Sequence, residues 1–284
     1  MNIMAVQSSS AFKPQLTIRP TSGWQAINFR ELWEYRDLLL TLASRDVKIR
    51  YKQTALGVAW VVLQPLISAA IFAFVFGRVA KLPSDGVPYF LFSYVGLQAW
   101  SVFSNTLTKA NTSLVGNAHL VSKVYFPRLI LPLSTVPSTL LDFGIAMVML
   151  VVLMLGYHVM PGWALLTMPI WLLLITMLAL GAGLFSASLA VSYRDINYIL
   201  PVATQFLMYA SPVAYGVSAV PEKLRLLYFL NPLSGLLEAF RWSVIGRGIV
   251  NPGVLAYSTC FAIATFVIGL YAFRRMEDRF ADVI

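Results

Sequence analysis

Charged residues divide this chain into long apolar windows. Between Lys52 and Arg78 lie 25 uncharged positions, and between Asp85 and Lys109 another 23. From Leu129 to Tyr193, 65 residues, the single formal charge is Asp142. A helix crosses the hydrocarbon layer in about 20 residues, so that stretch predicts two crossings. They part at Gly156-Tyr157-His158-Val159-Met160-Pro161-Gly162, where glycine and proline predict a turn. Ile196 to Pro221 and Gly248 to Phe273 supply the last two windows. The pattern predicts an all-α integral membrane protein with six transmembrane helices.

One apolar piece is too short to cross. Leu226 to Leu237 is 12 residues between Arg225 and Glu238, and Asn231-Pro232 interrupts it. Proline disfavours helical geometry in the residue before it, so the break is expected at Asn231. The length predicts a re-entrant or interfacial helical hairpin between spans five and six. A hairpin packed only for stability is the alternative. Ahead of the first span, Leu32, Tyr35, Leu39 and Leu42 recur at three- and four-residue steps, predicting an amphipathic interface helix over 30–52. Acids (Glu31, Glu34, Asp37) open it and bases (Arg45, Lys48, Arg50) close it, matching the helix dipole.

Four segments follow from this reading: a mobile cytoplasmic tail 1–29, the interface helix 30–52, a transmembrane domain 53–273 and a cytoplasmic tail 274–284. With both termini inside, cytoplasmic segments hold 15 of the 21 Lys and Arg, the asymmetry expected of topology signals. The composition agrees, since 58% of residues are hydrophobic and 12% charged, too few charges to coat a soluble core of this size. The net charge of +9 lies between apolar runs, which points to anionic lipid surfaces and excludes a nucleic-acid module. The lone Cys260 excludes an intrachain disulfide framework and is expected to be a buried packing residue. His119 and His158 stand apart, which argues against a metal site.

Catalytic motifs are missing. The sequence holds no G-x-x-x-x-G-K-[ST] phosphate loop, no H-E-x-x-H and no G-x-S-x-G. Gly181-Ala182-Gly183, and Ala69, Ala73 and Gly77, read as small faces where helices approach closely. Asp142 sits inside a predicted span, where acids often mark ion pathways. No second acid or histidine faces it in a neighbouring span, so a structural hydrogen bond to Ser, Thr or backbone is the expectation. Trp60, Tyr209, Tyr215, Tyr228 and Phe229 gather near the first span, the fifth span and the hairpin, and such rings can stack on sugar faces.

From Arg45 to Pro65 the chain reads RDVKIRYKQTALGVAWVVLQP. Then come LVSKVYFPRLILP (Leu120–Pro132), Tyr193-Arg194-Asp195-Ile196, Ser211-Pro212, and Asn231-Pro232-Leu233 followed by Glu238 and Arg241. In that order these pieces resemble the permease subunits of bacterial ABC exporters of O-antigen, capsule and teichoic acid, over about residues 31–273. The resemblance implies a homodimer in the inner (plasma) membrane, working with two copies of a separate ATPase. ATP and Mg would belong to that partner, this chain carrying no cofactor and no catalytic residue. It implies docking of the ATPase on Arg45, Asp46, Lys48, Arg50 and Tyr51 and on Lys123, Tyr125 and Arg128, with Arg194 and Asp195 as weaker candidates. It also implies an outer gate in the hairpin and a lipid-linked polysaccharide as substrate.

Trp60, Tyr209, Tyr215, Tyr228, Phe229 and Asn231 are then candidates for the substrate path and gate. Arg78, Lys81, Lys223 and Arg225 are candidates to meet the linker phosphate outside. A small-molecule or drug exporter of the same branch is the nearest rival. A proton-coupled secondary transporter relying on Asp142 and a membrane-embedded glycosyltransferase are the others.

Overall fold

A computed structural model of the chain describes residues 29–52, 59–277 and 280. Regular structure among them is helical throughout. The first helices are α1 (Phe29–Glu34), α2 (Arg36–Lys52), α3 (Ala59–Phe72), α4 (Tyr89–Thr112) and α5 (Ala118–Lys123). There follow α6 (Ile130–Gly156), α7 (Met168–Ser192) and α8 (Ile196–Tyr209). The last three are α9 (Glu222–Phe229), α10 (Pro232–Ile245) and α11 (Pro252–Met276). The expected tail 1–29 falls almost wholly outside the described residues, as do 53–58 and the Arg50 side chain.

Four stretches are long and apolar enough to cross a bilayer: Ala59–Val79, Ile130–Gly156, Trp163–Ser192 and Pro252–Met276. They coincide with the first, third, fourth and sixth predicted spans, and the turn predicted at 156–162 separates the middle two. The other two differ from the expectation for distinct reasons. At 24 residues α4 has the length, but Gln98, Ser101, Asn105, Thr106, Lys109 and Asn111 make it polar. A window free of charge is not thereby apolar. The fifth window breaks at Ala210, leaving α8 at 14 residues, about 21 Å against a hydrocarbon layer of about 30 Å. The chain then turns through Ser211-Pro212 and a short 3₁₀ segment, Val217–Ala219.

The interface helix forms in two pieces, interrupted at Tyr35. Its predicted apolar face holds: Leu42 is buried, and Leu32, Tyr35 and Leu39 pack on the same cluster. That cluster also takes in Phe126 and Ile130 near the start of α6, Leu184 of α7 and Phe273 of α11. One end of the bundle is therefore a single packed unit.

The interior is arranged around α4, which lies against α3, α6, α7 and α10. Lipid tails are as apolar as leucine, so helices here are held by close packing and buried polar contacts. The predicted small faces do this work. A Cβ on Gly269 of α11 would sit 2.0 Å from the Gly181 carbonyl oxygen, and one on Gly183 would sit 2.7 Å from Ala110 Cβ on α4. The Gly-x-Gly pair thus seats α7 against two helices at once. Ala69 is fully buried, and a Cβ on Gly77 would meet the Tyr89 ring at 2.8 Å. Cys260 departs from expectation: it is exposed on the outward face of α11. An apolar window does not say which side of its helix faces lipid.

Candidate functional site: a polar cavity, a docking face and a buried ion pair

A cavity of about 540 Å³ opens between α3, α4 and α6, with Met208 of α8 at its edge. Its wall is polar: Gln64 and Ser68 come from α3, Gln98, Ser101, Ser104, Asn105 and Lys109 from α4, and Thr139 and Asp142 from α6. Helical spacing explains the α4 set, since positions 98, 101, 105 and 109 rise on one face at three- and four-residue steps. Trp60 lines the mouth and is half exposed.

Where a Ser, Thr or backbone partner is expected, the described residues bring Lys109 and Tyr51 to Asp142. Lys109 Nζ lies 3.3 Å from its Oδ2, and the Tyr51 hydroxyl donates to Oδ1 at 2.5 Å. Lys109 also donates to Ser138 Oγ at 3.2 Å and Thr139 Oγ1 at 3.1 Å. The sequence reading counted Lys109 as a topology charge at a span end. It lies instead one helical turn inside the end of α4, where an ammonium needs an acid. Tyr51, expected at the docking surface, spends its hydroxyl on this interior node.

The other docking candidates divide by exposure. Arg45 pairs with Asp46 at 3.1 Å and donates to Asn117 Oδ1 at 2.9 Å, fixing α2 to the turn before α5. Lys48, Lys123, Tyr125, Arg194 and Asp195 are exposed. Arg128 is committed: its backbone N–H donates to Glu277 Oε1 at 3.0 Å and its guanidinium to the Glu277 carbonyl. Arg274 donates to the same carboxylate at 2.9 Å, so Glu277 ties the start of α6 to the end of α11.

At the opposite end, the predicted break at Asn231 is present. Asn231 caps α10, its side-chain oxygen accepting from Leu233 N at 3.1 Å. Its amide nitrogen donates to Ser211 Oγ at 2.8 Å and to the Ala210 carbonyl at 3.2 Å. The two X-Pro turns are thereby locked together. Tyr215 donates to the Tyr209 carbonyl at 2.8 Å and packs on Tyr228, with ring centroids 6.1 Å apart. Phe229 is half-buried beside them in sequence. These rings form one group, remote in the chain from Trp60, which belongs to the cavity. Arg78, Lys81 and Lys223 are exposed, whereas Arg225 donates to the Val220 carbonyl at 3.1 Å and lies 3.6 Å from Glu222.

Beneath this surface lies a buried ion pair that a count of charges does not reveal. Arg241 is fully buried. It pairs with Glu238 at 2.8 Å, donates to the Pro212 and Val213 carbonyls at 2.5 and 3.2 Å, and sits 4.1 Å above the Phe92 ring. Glu238 in turn accepts from Val217 N at 3.0 Å and Ile249 N at 3.3 Å. The available sequence signal was the i, i+3 spacing of a Glu and an Arg inside an apolar helix.

Helix order, the two proline turns and the polar central helix invite comparison with known proteins. The family model described as ABC-2 type transporter matches residues 37–245, more than two thirds of the chain. The chain belongs to the ABC-2 type transporter family. Curated relatives of this ABC-2 chain include an O-antigen export system permease protein of Klebsiella pneumoniae, 28% identical over 255 residues, covering 87% of this chain and 95% of the relative. An O-antigen export system permease protein of Myxococcus xanthus is 29% identical over 214 residues, covering 75% and 82%. The polysialic acid transport protein of Escherichia coli is 27% identical over 249 residues, covering 84% and 92%. The matched region runs from α2 to the end of α10, so it takes in the cavity wall, the Lys109–Asp142 node and the Arg241–Glu238 pair.

Proposed function

We propose that this ABC-2 chain is the membrane subunit of an ATP-driven exporter moving lipid-linked polysaccharide, of the O-antigen or capsule kind, across the bacterial inner membrane. The observation that carries the reading is the collinear match to the Klebsiella O-antigen permease over 87% of this chain and 95% of that one. The sequence holds no phosphate loop. ATP and Mg act on a partner polypeptide.

In this reading α4 and α8 complete a six-span subunit, α8 together with the turn that follows it, and α9–α10 form the re-entrant hairpin. Both termini are cytoplasmic, supported by the Lys and Arg asymmetry. Two copies pair through the uncovered apolar faces of α3 (Ile67, Ile71) and its continuation at Phe74 and of α8 (Val202, Phe206), all more than two-fifths exposed in a single subunit. Each copy meets one ATPase through Lys48 and the Arg45–Asp46 pair on α2 and through Lys123 and Tyr125 after α5. Closure of the ATPase dimer moves α2, and the subunit interface opens for the glycan. The Tyr209–Tyr215–Tyr228 group and Asn231 form the gate, with Lys81 and Lys223 placed to meet the linker phosphate outside.

Proteoliposomes holding this chain, its partner ATPase and a lipid-linked glycan test the reading. The expected result is ATP-dependent appearance of glycan on the far leaflet, lost when the ATPase is omitted. Transport by this chain alone, driven by a proton gradient, would establish a secondary transporter instead.

A further inference from the structure

We infer that the cavity between α3, α4 and α6 is a sugar-binding site within each subunit, taking neutral sugar residues of the glycan and not its anionic linker. The inference rests on the transport reading above. It starts from cost. Polar side chains inside membrane-spanning helices are expensive unless something polar meets them. Here amides and hydroxyls from three helices converge on one space of about 540 Å³, within the range of small-molecule sites.

Gln98 is the second observation. Its side chain is 2% exposed, it lines the cavity, and its amide nitrogen is buried against the neighbouring Tyr94 phenol. The Tyr94 hydroxyl is itself spent on the Ala146 carbonyl at 3.1 Å. The Gln98 nitrogen is out of reach of water-sized groups in the cavity, so Gln98 meets a hydroxyl there through its amide oxygen.

The wall chemistry selects the ligand. Among the described residues of the wall the two formal charges, Lys109 and Asp142, oppose each other at 3.3 Å, so together they carry no net charge to attract a phosphate. A carboxylate flanking an ammonium, with Gln64, Gln98 and Asn105, instead offers donors and acceptors in alternation, which suits hydroxyl groups that are both. Trp60, half exposed at the mouth, supplies an apolar ring for the C–H face of a pyranose. Water can meet the same polar groups between passages, and a sugar replaces that water hydroxyl for hydroxyl.

The test uses the full chain with its ATPase in cells making their own surface glycan. A small diazirine-bearing residue replaces Ser101 in the cavity wall, or Val152 on the exposed face of α6 as control. Irradiation is expected to give, from position 101 and not 152, a ladder of permease carrying periodate-stainable glycan, absent in a strain that makes none. Gln98→Leu should weaken the ladder about fivefold, the effect of one hydrogen bond. Trp60→Ala, at a half-exposed position that leaves the core intact, should weaken it similarly. Cross-linking at 101 to lipid alone, or a ladder equal to that from 152, while export continues, would overturn the sugar site and leave the transport reading standing. Absence of export by the unsubstituted complex supplied with ATP would bring down the transport reading itself.

Discussion

Replacing Arg241 with Met is the sharpest probe of how the hairpin is held. The side chain is 0% exposed and its Glu238 partner 2% exposed, so water cannot relax into the gap. Arg241→Met strands the Glu238 charge, leaves the Pro212 and Val213 carbonyls without a donor and removes the cation from the Phe92 ring. Breaking one side of a buried ion pair costs about 3–5 kcal/mol. At roughly 2–4 °C per kcal/mol, that is a fall of about 6–20 °C in the thermal midpoint. Size-exclusion monodispersity of heated, detergent-solubilised protein reads it directly. The double variant Arg241→Met/Glu238→Gln removes the stranded charge while its amide oxygen still accepts from Val217 N. It should recover at least half the loss, because most of the penalty is the unpaired charge and not the pair's own worth. A single variant melting within about 2 °C of the parent would refute the reasoning, as would a double variant no better than the single.

Tyr51→Phe deletes the hydroxyl on Asp142 without changing the ring; export should fall several-fold while the partner's ATP hydrolysis persists, measured together in proteoliposomes. Gly269→Leu forces a Cβ to 2.0 Å from the Gly181 carbonyl, so detergent-stable protein should be lost, whereas Gly144→Ala, with open space at its Cβ, should melt like the parent. Asn231→Ala removes the α10 cap and the tie to Ser211, for an expected loss of about 1–2 kcal/mol in thermal midpoint measurements.

The features legible in the sequence are those set by local chemistry. Asn231-Pro232 breaks the helix because proline acts on its own neighbour, and Gly156 to Gly162 separates two spans for a similar reason. Leu32, Tyr35, Leu39 and Leu42 betray a face because helix periodicity needs nothing beyond the helix. What failed needed a second helix. Lys109 looked like a loop charge until α6 brought Asp142 to it across a separation of 33 residues. Arg241 has its acceptors on Pro212 and Val213, 29 and 28 residues upstream, which its own helix does not disclose. The length of α8 failed for another reason: the chain turns at Ser211-Pro212 inside an uncharged window, and charge counting cannot see a turn made without charge. Of the docking residues that the resemblance implies, Lys48, Lys123, Tyr125, Arg194 and Asp195 are exposed, whereas Tyr51 and Arg128 are engaged within the subunit.

The two buried charge pairs differ in a way that bears on movement. Arg241 and Glu238 are three residues apart on one helix and are held by the Pro212 and Val213 carbonyls and the Val217 and Ile249 amides, so moving them apart means moving that loop. Lys109 and Asp142 stand on different helices, border the cavity, and are 20% and 11% exposed at the side chain. Their separation exposes both to water, a far smaller penalty than stranding charge in a dry interior. Tyr51 joins this looser pair from the end of α2, so any displacement of that helix is felt first at Asp142 and then along α4. A rigid pair under the hairpin and a yielding one under α2 are what a lever needs. One end must hold while the other is pushed.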